Sequence, residues 1–233
     1  MKKILENFVT KRYKEVSQKP FSATSFRTGI IGYAALLSFV LISLWAGGAG
    51  EVSNIYLRTL IFPLICMITI IVIGWGLFQF QRLKKYAAII SYFSGFFFLL
   101  FVEAFSACLS EEPIKYALYG SIIIFVGWVV GVITHIVLVS TSLKKESMNI
   151  RDEFGDYYVN TVSVIALLNL IYFSISDKEM FLLIGTALIS AALLVGLTFS
   201  FPRVLFYWRK EEPKKDISVY GDSIKLMKRG KSK

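Results

Sequence analysis

The sequence predicts an all-α, polytopic integral membrane protein with six transmembrane helices and both termini in the cytoplasm. Three observations carry that prediction: the apolar content, six apolar runs of membrane-spanning length, and basic residues gathered on one side. Of the 233 residues, 55% are hydrophobic and 18% charged, with a mean hydropathy of +0.62. A soluble domain typically has about 25% charged residues and a smaller apolar share. The same figures exclude a disordered chain, and two cysteines exclude a disulfide-built miniprotein.

A helix rises about 1.5 Å per residue, so roughly 30 Å of hydrocarbon needs about 20 apolar residues. The runs that meet this are 28–48, 60–80, 86–108, 116–140, 157–176 and 180–201. The fifth is diluted by Asn160, Asn169 and several hydroxyl residues. It is retained because omitting it would put an odd number of crossings against the charge pattern. The chain thus divides into a basic amphipathic segment (1–27), a six-helix membrane domain (28–201) and a basic tail (202–233). The stretch 46–50 has the small residues of a cleavage site, but 27 residues precede the first run, and it is read as an uncleaved helix end.

Lys and Arg alternate between crowded and sparse segments. Seven precede the first run, three follow the second, three follow the fourth and ten follow the sixth, giving 23 on one side. Arg58, Lys115 and Lys178 alone fall on the other. Cytoplasmic loops carry the excess of positive charge, so the crowded side is assigned to the cytoplasm. The outer turns hold Glu51, Glu111, Glu112, Asp177 and Glu179, and are too short for a folded domain. The net charge of +10 therefore reports insertion, and no nucleic-acid partner is expected.

Ahead of the first run, Ile4, Leu5, Phe8, Val9, Tyr13 and Val16 recur at helical spacing among lysines, up to Pro20. That pattern fits an interfacial helix whose lysines meet anionic lipid at the cytoplasmic face.

An ionisable residue inside a span costs about 2.5–3.5 kcal/mol to insert, so it marks a candidate site. Two occur, Glu103 and His135. They lie at opposite depths, which separates them as an acid–base pair. Tyr119 and Asn169 fall at the depth of Glu103, so Glu103, Tyr119 and Asn169 form the candidate intramembrane polar site. The fourth span carries Gly127, Gly131 and His135 along one face, and the sixth carries Gly185, Ala192 and Gly196. Small residues at such spacing let helix backbones approach closely, so these six are read as packing positions.

One histidine excludes His-pair metal sites and the HExxH motif, and neither GxSxG nor a phosphate-binding glycine loop occurs. Cys66 and Cys108 differ in depth and are read as free thiols. No enzyme activity, cofactor or metal is expected. The excess of lysine over arginine, with abundant Ile and Phe, suggests a bacterial plasma membrane. The leading functional reading is a non-enzymatic protein acting through protein–protein contacts, such as a toxin-immunity or secretion-accessory protein, with a protein partner or a second copy bound. The alternative is a small transporter or oligomeric channel using Glu103.

Overall fold

The computed structural model describes residues 3, 4, 7–11, 13, 14, 19–47 and 50–208, apart from the side chains at 155, 156 and 159. Leu5, Val16 and the basic tail from 209 onward lie outside the described residues. The described chain is all-helical. In order, the helices are α1 (Ala23–Ala46), α2 (Glu51–Thr59), α3 (Ile61–Phe78), α4 (Lys84–Ala107), α5 (Pro113–Lys144), α6 (Asn149–Ser176), α7 (Glu179–Ser200) and α8 (Pro202–Leu205). Five segments among the described residues are long and apolar enough to cross a membrane: α1, α2 with α3, α4 with the turn before it, α5, and α7 with α8. In α6 the apolar part is confined to Asn160–Ser176.

Local chemistry sets most boundaries. Gly47 ends α1 at φ 65°, a left-handed conformation that costs glycine nothing. Pro63 has no N–H to give the carbonyl of Thr59, and α2 stops there, with α3 beginning two residues on. Pro113 sits in the first turn of α5, where a missing N–H is harmless. Asp177, also left-handed, closes α6 and donates its N–H to the Phe173 carbonyl at 2.9 Å. α6 begins at Asn149, eight residues before the predicted run, because the polar stretch 149–156 continues the helix.

The helices form two groups around a shared wall. Phe26, Tyr33, Leu36, Val40, Leu57, Leu64 and Ile71 build the core of α1, α2 and α3 against α4. Leu99, Ile124, Ala187 and Leu194 join α4, α5 and α7. α7 is the most enclosed helix and packs extensively against α6, α5 and α4. α5 and α7 run parallel in constant register. A Cβ on Gly127 would stand 2.9 Å from Ala191 Cβ, and one on Gly131 would stand 2.7 Å from Val195 Cγ2. One turn further, the His135 ring meets Phe199 edge-on, centroids 4.7 Å apart.

Gly131→Leu is therefore expected to force α5 away from Val195 and Tyr158 and to cost about 1–3 kcal/mol. Gly76, with nothing near its missing Cβ, should accept leucine with no loss. Thermal unfolding of the two variants in detergent checks the contrast.

Candidate functional site

The intramembrane acid is buried at a junction of three helices. Glu103 lies one turn before the end of α4 and is 0% exposed. Thr186, seven residues into α7, donates its hydroxyl to Glu103 Oε2 at 2.8 Å. The Thr186 oxygen also lies 3.0 Å and 3.1 Å from the carbonyls of Leu182 and Leu183. A threonine hydroxyl has one proton, so it serves one of these acceptors at a time. Gly120 of α5 provides the room: a Cβ there would overlap the Glu103 carboxyl group. Glu103 Oε1, against that glycine, has no hydrogen-bond partner.

Tyr119 and Asn169 do not join this group. Tyr119 is 51% exposed on the outside of the bundle. Asn169 turns its amide back to the Ile165 carbonyl of its own helix at 2.8 Å. The sequence reading assigned both to the depth of Glu103, but neighbouring helix positions differ by about 100° in direction. Gly120, next to Tyr119, is the residue that faces the acid. Thr186 was missed because a threonine in an apolar helix carries no signal unless its facing partner is known.

The packing positions all meet residues of the same chain. Tyr158 of α6 donates its hydroxyl to the Gly127 carbonyl at 3.0 Å. A Cβ on Gly185 would press on Leu170 and the Ala166 carbonyl, and one on Gly196 would approach the Tyr13 hydroxyl. Ala192 is buried between its neighbours. Cys66 and Cys108 are free.

His135 belongs to a second site, at the basic end of the bundle, which sequence reading did not identify. Its Nε2–H donates to the Phe8 carbonyl at 2.5 Å. The Phe8 ring stacks edge-on against His135 at 5.0 Å and lies 5.8 Å from Phe199. Arg151 donates to Asp152 Oδ1 through Nη2 at 2.6 Å and Nε at 3.0 Å, and through Nη1 to the Asn7 carbonyl at 3.1 Å. Asp152 Oδ1 in turn accepts the Lys11 backbone N–H at 2.9 Å. Thr10, between these anchors, is 1% exposed. Residues 7–11 and 13 thus lie as a strap over the ends of α5, α6 and α7. Further along, Arg203 donates to the carbonyls of Lys19 and Pro20, and Tyr207 to that of Phe21. The strap turns Phe8 and Tyr13 toward protein, whereas the sequence reading turned that apolar face toward lipid. Periodicity shows that a face is apolar and does not say what covers it.

The chain matches no protein-family model, no curated protein and no solved structure.

Its chemistry must then be read from its own groups. Among the described residues, no three His, Cys, Asp or Glu side chains are grouped to hold a metal ion. At the acidic end a shallow cavity of about 330 Å³ is bordered by Glu51, Glu111 and Glu179. Glu179 is engaged there by the Glu111 N–H at 3.1 Å.

Gly120→Ala should destabilise the fold by about 1–3 kcal/mol through its clash with Glu103. Combining it with Glu103→Ala should cost less than the two single changes together, since truncating the acid vacates the space. A double-mutant cycle of unfolding free energies measures that coupling.

Proposed function

We propose that this is a six-span bacterial plasma-membrane protein with both termini in the cytoplasm, acting without catalysis through protein–protein contacts in the manner of an immunity or secretion-accessory protein. The six-span arrangement is supported by the 23-to-3 partition of basic residues and by the extensive packing of α6 along α7. Two helices packed in that way share a depth, and α6 with its 28 residues is long enough to span. Aromatic rings gather at the basic end, as expected at a membrane interface. Lys85 sits over Tyr86 and Trp208, and Arg27 over Trp75.

The observation that carries the contact reading over transport is the closed setting of Glu103. Its carboxyl group is enclosed by Gly120 and Thr186, and the two polar groups that would extend a path from it point elsewhere. A transport route needs convergent polar groups facing a water-filled passage. A surface suited to a partner's helix is present on the opposite side. Between α1 and α4 runs a groove of about 290 Å³ whose lining includes Ser25, Thr28, Gly29, Gly32, Ser91 and Gly95. Small and hydroxyl residues of this kind let a further helix approach closely within a bilayer.

A reporter fused after Lys233 should read cytoplasmic and one inserted beside Asp177 should read external; the reverse pattern would overturn the topology. In proteoliposomes, Glu103→Gln should fold as the wild type does, and neither should show pH-driven flux. A flux abolished by Glu103→Gln in a folded protein would instead establish transport. Photo-crosslinking residues at Thr28 and Ser91 in cells should yield an adduct of one defined mass, whereas one at Phe125, on the exposed side of α5, should not.

A further inference from the structure

We infer that the strap formed by residues 7–11 and 13 is a lipid-responsive latch, exchanging between its seat on the bundle and the anionic surface of the surrounding bilayer. The inference rests on the proposed cytoplasmic placement of the N-terminus.

The seat holds the strap chiefly through its backbone. The Phe8 and Asn7 carbonyls and the Lys11 N–H are the strap groups bound by His135, Arg151 and Asp152. Two aromatic rings, Phe8 and Tyr13, add packing against Phe199. Seating also has a standing penalty. His135 Nδ1, on a 0%-exposed residue whose other ring nitrogen is bound to the Phe8 carbonyl, has no hydrogen-bond partner while the strap is down. A buried polar atom without a partner forfeits the hydration it would regain on exposure. Lifting the strap returns water to this end of α5, which narrows the free-energy gap between seated and released states.

The released strap has a second surface to occupy. Lys3 and Lys11 are exposed, so their charges are not consumed by the seat. Phe8 and Tyr13, which fill the seat, are also the residues that would enter the headgroup region. A basic segment near an anionic leaflet gains about as much from each lysine as from a surface hydrogen bond, and that gain is absent over zwitterionic lipid. Release would uncover His135, Phe154 and Phe199, which share one aromatic cluster beneath the strap, together with the Arg151–Asp152 pair. Among the described residues, Arg151 and Asp152 are the charged groups that bind the strap, beside the His135 ring. The lipid-dependent step is therefore a change of partner for the same apolar face.

The test uses the full chain with Cys66 and Cys108 replaced by serine, spin-labelled at Asn7→Cys, which keeps the backbone carbonyl bound by Arg151, and at Glu146→Cys. It is placed in nanodiscs of phosphatidylcholine alone or with increasing phosphatidylglycerol, and the inter-label distance distribution is measured. The expected result is one short-distance population in the neutral lipid and a second, longer one that grows with anionic content. Asp152→Asn should bring the midpoint of that change to an anionic fraction at least two-fold lower. Lys11→Gln should move the midpoint to an anionic fraction at least two-fold higher while leaving the short-distance population in place. An unchanged distribution at every composition would overturn the latch and establish a permanent strap. Labelling of the position-7 cysteine by a membrane-impermeant thiol reagent from outside intact cells would overturn the cytoplasmic placement instead, so the two failures are distinguishable.

Discussion

The structure depends on how closely the backbones of α5 and α7 approach. Within a bilayer, helices gain little from hydrophobic transfer against one another, so association rests on packing and on a few internal hydrogen bonds. Gly127 and Gly131 remove the side chains that would hold the two helices apart, and Ala191 and Val195 fill the space left. The four-residue register that results has consequences at both ends. Toward the acidic end, it brings Thr186 and Gly120 to the same level around Glu103. Toward the basic end, it places His135 against Phe199 and so creates the seat for Phe8.

Both polar sites are therefore products of one packing seam, and they use it differently. Glu103 is enclosed where its carboxyl group lies on a glycine of α5. A group in that setting joins helices through a hydrogen bond with a modest net contribution. His135 lies where the seam opens toward the end of the bundle, and its ring reaches a chain segment rather than another helix. The Arg151–Asp152 pair supplies the second hook, with Asp152 Oδ1 shared between a guanidinium and a backbone N–H. The first site joins three helices, and the second holds a chain segment against the ends of α5, α6 and α7.

How much of this was legible in the sequence varied with the kind of question. Helix existence followed from apolar length, and the end of α1 followed from the small residues at 46–50, whereas the break before Pro63 was not read from the sequence, whose second run continued through that proline. The polar start of α6 was not legible, because residues 149–156 carry charges that read as loop until the neighbouring helices are seen to support a continued helix. Depth was also legible. Counting from the short turn between α4 and α5 placed Glu103 beside residues 119–121, and Gly120 is indeed its neighbour. Direction was not. A rotation of one residue about the helix axis exchanged Tyr119 for Gly120, and Asn169 spends its amide on its own backbone.

The sequence by itself determined that the chain is helical, apolar enough for a membrane, and strongly asymmetric in its basic charge, because these properties are set by composition and by spacing along one dimension. Only the tertiary structure decided what each polar group faces. Thr186, Phe8 and Arg151 carry no distinguishing pattern in the chain, and their roles arise from residues far away in sequence. Glu103 was a candidate from its cost in hydrocarbon alone. Its partners, and the strap that closes the other end of the same seam, required the azimuth of each helix, which close packing of glycines against small side chains sets and hydropathy does not.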